Sequence, residues 1–382
     1  MSKRKLCVLL LSNSFFPRVD GSVLAVSHEM DMLRIKGHNA ILITRKHEGT
    51  DPAENWRGFL VLRVGSDRYG ITHRVMTVLR QALTGFRLCV NTKIDVIHAH
   101  GAVALFAGLL LSLVCQKPLV VTFHGLQRLW AKETTWKSEA ELKITYPAIK
   151  FATKHADVLV AQSEKFREVV ARLYRVDMKK IAVLPHVIDE EHFGFTPIPT
   201  SSQPTVLFVG ALRRVYGADL FVRAASYTTN KLSDAQFLAV GRGPQKAKLS
   251  SLIRNLKLEK SVFLLGPVHD RKKLAEHYQA AKVVVIPQKY EGYFLSLVAL
   301  EALASGRPIV TTQTLDSELY ETAFSKAAFD PKDIADKIVK LLLMDEEAYA
   351  NLAASARHYF ETHCSKKVVA SKLERLLLGL AT

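Results

Sequence analysis

The sequence predicts an α/β protein built from two consecutive domains, each a doubly wound parallel sheet of the Rossmann-like kind. Three observations predict it. Short apolar runs alternate with longer segments of helical period along nearly the whole chain, the pattern of parallel strands joined by right-handed helical crossovers. The alternation breaks once, at 195–204, where proline and small polar residues show no periodicity, and then restarts, as it does across a linker. A chain of 382 residues is also too long for one ordinary domain and suits two.

Taken in order, 7–11 reads as a buried first strand and 23–36 as a helix with Val23, Val26, Met30 and Leu33 on one face. Strands follow at 40–44, 96–99, 119–123, 158–161 and 181–184, with a helix at 102–114 between the second and third of these. Ile71, Val75, Val78, Leu79, Ala82, Leu83 and Phe86 form one face of another helix, flanked by Arg74 on one side and Arg80 and Arg87 on the other. After the break, strands at 206–209, 237–240, 262–265, 283–286 and 309–312 alternate with helices at 218–225, 245–256, 271–281 and 297–304. The domains are expected at 1–195 and 196–362, with a last helix in 363–382. Ligands of open parallel sheets bind beyond the carboxyl ends of the strands, so loops of both halves are expected around one interdomain cleft.

Composition narrows the function. Charged residues at 23% and hydrophobic residues at 48% are those of a globular protein. The four cysteines, Cys7, Cys89, Cys115 and Cys364, form no CxxC and stand near no histidine cluster, which suggests neither structural zinc nor a redox pair and fits a reducing cytoplasm. The net charge of +17 favours anionic partners, namely anionic lipid headgroups, nucleotide diphosphates or nucleic acid. No nucleic-acid motif accompanies it. Asn13 and Phe15-Phe16-Pro17 follow the first apolar run where a signal peptide would carry a small-residue cleavage site. The first strand leads into Ser12-Asn13-Ser14 with no GxGxxG, which counts against a dinucleotide enzyme.

The chemistry concentrates in 290–308, which reads as loop, helix and stop. Ser296 is placed to cap the helix, and Gly306 with Pro308 ends it. The free amides at Ser296 and Leu297 and the positive end of the helix dipole suit a diphosphate. Glu301, one turn in, can accept hydrogen bonds from ribose hydroxyls, and Glu291 in the preceding loop can contact sugar hydroxyls.

This segment resembles the signature of the family 4 retaining glycosyltransferases, which have the GT-B fold. Gly241-Arg-Gly-Pro244, Asp95-Val-Ile-His-Ala-His100, Val121-Thr-Phe-His-Gly125, Ala156-Asp157, Ser163-Glu164 and Leu184-Pro-His-Val-Ile-Asp189 extend the resemblance over nearly the whole chain. It implies transfer of a sugar from a nucleotide-diphosphate sugar, with retention and without a further cofactor, to a glycan, lipid-linked or other acceptor; no DxD-like carboxylate pair follows a strand to chelate a diphosphate-bound metal, so none is expected. It assigns the donor sugar to Glu291 and His124, the ribose to Glu301, and the donor phosphates to the neighbourhood of Gly21. An ordinary turn is the alternative at Gly21. It also implies that the last helix crosses back to the first domain.

The chain departs from the family pattern in three places. Nine residues rather than seven separate Glu291 from Glu301, so that anchoring on the helix puts Tyr293 at the first glutamate's position. Ala211 and Tyr216 stand where the family has its phosphate-binding arginine and lysine, with Arg213 and Arg214 between them as the replacement charge. His186-Val187 follows Pro185 where Asn-Gly is common. These departures leave a second class open, a GT-B scaffold that binds a ligand or partner with little turnover. His98 and His100, two apart on a strand, point to one side, which opens a metal reading, but no carboxylate or third ligand lies on that side nearby in sequence; structural histidines are the preferred reading. The apolar stripe of 71–86 has two readings: it packs on the first sheet, or it meets an anionic membrane surface from the cytoplasmic side.

Overall fold

The computed structural model describes residues 4–68, 70–125, 136–288 and 293–381, with the backbone alone at 71 and 136–145. The chain divides into two compact units, Met1–Pro185 with Lys366–Thr382, and His186–Ser365.

In the first unit the chain order is β1 (Cys7–Ser12), α1 (Gly21–Ile35), β2 (Asn39–Arg45), β3 (Ala53–Trp56), β4 (Phe59–Val64), α2 (Ile71–Asn91), β5 (Val96–His100), α3 (Gly101–Cys115), β6 (Leu119–Thr122), α4 (Trp136–His155), β7 (Val158–Ala161), α5 (Glu164–Tyr174) and β8 (Ile181–Val183). The eight-stranded sheet runs β3-β4-β2-β1-β5-β6-β7-β8. Only β3 is antiparallel, paired with β4. Val8, Leu9, Leu10 and Leu11 of the central strand are wholly buried, as a parallel strand covered on both faces requires. The β3–β4 hairpin is not announced by any apolar run. It is made by the turn Arg57-Gly58, both residues with positive φ, the geometry that matches strand twist.

The helix α2 turns its sequence pattern inside out. Thr77, Gln81 and Gly85 are buried, while Val75, Met76, Leu79, Leu83, Phe86 and Val90 are exposed. The reading in which the apolar stripe packs on the sheet is therefore overturned. The buried face is small and polar for local reasons. Gln81 Nε2 donates to the carbonyl of Ser12 at the end of β1, 2.8 Å away. A Cβ on Gly85 would lie 2.4 Å from Leu111 Cδ1, so only glycine lets α3 come this close.

The second unit runs β9 (Thr205–Val209), α6 (Ala218–Thr229), β10 (Gln236–Val240), α7 (Lys246–Asn255), β11 (Val262–Gly266), α8 (Arg271–Ala280), β12 (Val283–Ile286), α9 (Leu297–Ala304), β13 (Ile309–Thr311), α10 (Ser317–Thr322), β14 (Phe324–Lys326), α11 (Pro331–Leu342) and α12 (Glu346–Tyr359). Its six strands are all parallel, in the order β11-β10-β9-β12-β13-β14. The last helix, α13 (Lys366–Leu380), belongs to the first unit. There Lys36 Nζ lies 3.1 Å from Glu374 and 2.8 Å from Ser371 Oγ.

The division between units falls at 185/186, ten residues before the proline-rich break. Residues 195–204 form part of the second unit's wall. The fully buried Arg307 donates to the carbonyl and hydroxyl of Thr196 and, over 3.2 Å, to Tyr349. Composition alone reads such a stretch as a linker because it cannot show a buried guanidinium gripping it. Among the described residues no helix is long and apolar enough to cross a membrane.

Candidate active site

In the first unit the carboxyl ends of β1, β5 and β6 open into a cavity of about 370 Å³, whose walls include Ser12, Arg18, Arg45, His100, His124 and Tyr146. Asp20 caps α1 on this rim, its carboxylate accepting from the amides of Ser22 and Val23 at 2.9 and 3.0 Å. A Cβ placed on Gly21 meets no atom within 4 Å, and its backbone lies outside the left-handed region. The fold itself thus makes no demand for glycine at this position.

Behind the cavity lies a buried chain of polar groups that local sequence cannot show. His98 and His100 do project to one side of β5, and the carboxylate missing near them is supplied by Glu29 from α1, 69 residues away from His98. His98 Nδ1 is 2.6 Å from Glu29 Oε1 and His98 Nε2 is 2.7 Å from Thr122 Oγ1. His100 Nε2 lies 3.2 Å from Glu29 Oε2, and His100 Nδ1 is 3.0 Å from His124 Nε2. Burial alone would raise the Glu29 carboxyl, but the charges and hydrogen bonds of His98 and His100 outweigh it and hold the group well below the usual carboxylate range. Burial lowers the proton affinity of His100, only partly offset by Glu29.

Ligand atoms of Glu29, His98 and His100 lie within 4.8 Å of one another, compatible with a metal ion by spacing. The 2.6 Å separation of His98 and Glu29 is nevertheless that of a charge-assisted hydrogen bond. Two ligands at about 2.0 Å from one tetrahedral ion stand roughly 3.3 Å apart. As built, the cluster is held together by protons.

In the second unit, β9 and β12 are parallel neighbours, so the loop after β9 and the segment leading to α9 leave the sheet at the same edge. The loop turns through Gly210-Ala211-Leu212-Arg213, a 3-10 turn at Arg214–Tyr216, and Gly217. Gly217 has φ +72°, and a Cβ there would fall 1.7 Å from the carbonyl oxygen of Pro287 just beyond β12. Gly241, with φ +147°, stands equally close to the Gly210 carbonyl, 1.9 Å from a built Cβ. The three strand ends are thereby packed backbone against backbone, as a ligand-binding floor requires. Arg213 and Arg214 are exposed on this loop. Burial raises the Tyr216 phenol above its usual range, so this side chain stays neutral and does not replace a lysine.

Ser296 caps α9, its Oγ accepting from the amide of Ala299 at 3.3 Å. The amides of Leu297 and Val298 at the helix start lack an intrahelical acceptor. Glu301 is 3% exposed. Its Oε1 accepts from Arg271 Nη2 at 2.8 Å and its Oε2 from the Tyr278 hydroxyl at 2.7 Å. Burial, followed by the charge of Glu301, drives the Tyr278 phenol well above its usual range. Arg271 and Tyr278 were not singled out in sequence. Their signal was there: seven residues apart on α8, they share one helical face. Glu291 lies outside the described residues. Tyr293, which takes its position when the helix is the anchor, is half-buried.

Comparison with known proteins agrees over both units. A model described as Glycosyltransferase Family 4 matches residues 19–192, and one described as Glycosyl transferases group 1 matches residues 203–344. The chain is 28% identical over 286 residues to a D-inositol 3-phosphate glycosyltransferase of Xylanimonas cellulosilytica, covering 69% of this chain and 67% of that protein. Among solved structures it is similar to a sucrose-phosphate synthase from Thermosynechococcus elongatus, with TM-score 0.81 and 20% identity over 98% of this chain and 99% of that one. It is also similar to Anabaena HepE in complex with UDP and glucose, with TM-score 0.76 and 15% identity over 98% and 100% of the two chains. The two parallel-sheet units are those of the GT-B fold.

Proposed function

The chain belongs to the family 4 glycosyltransferases of group 1 and is an enzyme acting on nucleotide-sugar donors, and from that membership we propose that it transfers a hexosyl group with retention and without a metal. The carrying observation is the second unit's sheet edge, where a buried Glu301, the capped start of α9 and the Arg213–Arg214 loop leave neighbouring parallel strands. Glu301 takes the ribose hydroxyls. The guanidinium groups of Arg213 and Arg214 and the amides of Leu297 and Val298 hold the leaving diphosphate, where negative charge develops as the glycosidic bond breaks. With cations and amides in these roles, the diphosphate is neutralised by the protein.

The cavity of the first unit takes a sugar hydroxyl array, with His124 in its wall. Gly21 admits close approach of a ligand at the rim, since neither backbone conformation nor packing demands glycine there. Glu291 serves the donor sugar by resemblance alone. The acceptor is a glycan or a lipid-linked glycan presented at an anionic membrane surface. The exposed apolar face of α2, beside the exposed Arg74, Arg80 and Arg87, supports that location.

The test is release of nucleoside diphosphate from a panel of nucleotide sugars, UDP-glucose included, with the anomeric configuration of the product read by NMR. Release that is lost in Glu301→Ala, and that persists with a retained anomer in chelator, is expected. Inversion, or strict loss of activity in chelator, refutes the mechanism. Donor binding without turnover across the panel refutes the transfer reaction.

A further inference from the structure

We infer that Glu29 is a positioning residue for His124, acting through His100 to fix which ring nitrogen of His124 carries the proton. The inference goes beyond the reaction proposed above and draws on it only for the consequence, that His124 serves a bound sugar.

The argument follows the hydrogens from the buried end. An ionised carboxylate only accepts hydrogen bonds, so both ring nitrogens facing Glu29 must carry protons. These are His98 Nδ1 at 2.6 Å and His100 Nε2 at 3.2 Å. On the far side of its ring, His98 Nε2 pairs with the hydroxyl of Thr122, 2.7 Å away. His100, which burial keeps neutral, carries one proton, which makes its Nδ1 an acceptor. His100 Nδ1 accepts from His124, so His124 donates through Nε2 over 3.0 Å. The two rings are within 7° of parallel, with centroids 5.2 Å apart, so they meet edge to edge as that bond requires. A single carboxylate on α1 thus determines, across two rings, the tautomer of a cavity-lining histidine.

The arrangement is costly to assemble without such a role. Glu29 is 6% exposed, His98 1% and His100 5%, and taking one carboxylate and two imidazoles out of water is unfavourable unless every partner is in place.

The test is nitrogen NMR on the full chain with ¹⁵N-labelled histidine, in which Nε2–H and Nδ1–H imidazoles give distinct signals; the His124 signal is assigned by its loss in His124→Asn. In the wild type, His124 is expected as a single Nε2–H form. Glu29→Met, which removes the acceptor, should convert it to a mixture of forms. In Glu29→Gln the amide oxygen stays with the closer His98 and the NH₂ group turns to His100, and His124 should shift toward Nδ1–H. Thr122→Val removes a partner from the far side of His98 and should leave His124 unchanged. The inference is overturned if wild-type His124 is Nδ1–H, or if either Glu29 variant folds and keeps the wild-type signal. It is equally overturned if Thr122→Val shifts His124 as the Glu29 variants do. One equivalent of zinc displacing the ring protons of His98 and His100 would make the cluster a metal site and also overturn it. The wild-type spectrum decides even where a variant fails to fold, and none of the spectra depends on turnover.

Discussion

Glu301 has both carboxylate oxygens engaged within the protein, by Arg271 and by Tyr278. Arg271 reaches the surface and can give way to a ribose hydroxyl, whereas Tyr278 is wholly buried and cannot. Tyr278→Phe should therefore cost about 1.5–3 kcal/mol of stability, the worth of a hydrogen bond to a charged group, and raise the KM for the donor. Denaturant unfolding and steady-state kinetics check both. Glu301→Gln should lower the specificity constant by roughly tenfold to a hundredfold, through weakened ribose contacts. The Glu29 cluster makes a pH prediction. Glu29 stays ionised in the fold below the pH at which the unfolded chain protonates it, and burial keeps His100 neutral below the pH at which the unfolded chain would protonate it. Both folded-state values are depressed, so the unfolded state binds more protons in acid. The stability these groups contribute is complete above about pH 6.5, the unfolded histidine value. It is lost progressively as pH falls through the His100 range and then the carboxylate range. Unfolding free energies measured from pH 7 down to pH 4 should fall, and less steeply in His100→Asn. A flat profile contradicts the sign.

The helix α2 separates two roles that usually coincide. Its fully buried positions are Thr77, Gln81 and Gly85, while Val75, Met76, Leu79, Leu83, Phe86 and Val90 point to solvent. Replacing Leu79, Leu83 and Phe86 by Gln should change stability by no more than about 0.5 kcal/mol each, as exposed sites do. The same changes should abolish co-sedimentation with vesicles containing an anionic lipid. Gly85→Leu is the opposite case, because Leu111 occupies the space beside it. It should destabilise by about 1–3 kcal/mol, the usual cost of overpacking. On the proposed membrane location, wild-type binding to the vesicles should weaken as salt rises, because salt screens exposed charges such as the arginines beside the stripe. Binding that survives high salt and the triple substitution would locate the membrane surface elsewhere.

For the molecule as a whole, the net charge of +17 favours anionic ligands. On the proposed role of the Arg213 and Arg214 charges in stabilising the departing diphosphate, replacing both by Ala should lower turnover about a hundredfold or more. A smaller loss would place that stabilisation on the helix amides alone. The path of the chain matters too, because α13 returns from the second unit to pack in the first. Val369, Leu373 and Leu377 are buried there, and Glu374 stands 3.1 Å from Lys36. Truncation after Ser365 should therefore destabilise the first unit selectively, which hydrogen exchange resolved by peptide would show.

The sequence by itself determined the two doubly wound sheets, the helix start at Ser296 and the burial-compatible spacing of Glu301, because strand runs, caps and helical period are local and each is written within a dozen residues. It also carried the order of motifs that marks the family. The partners of those residues were decided only by the tertiary structure. Glu29 meets His98 and His100 because β1, flanked by β5, brings α1 over the strand that carries them. Arg271 and Tyr278 reach Glu301 from α8, and Thr196 is fixed by Arg307 from 111 residues away. The buried face of α2 was likewise beyond the reach of pattern, since a helix shows its neighbours which side to take only through the shape of what it packs against. Hydrophobic period records what a segment could bury. Which face is buried, and which charge finds which partner, is settled by contacts between residues far apart in the chain.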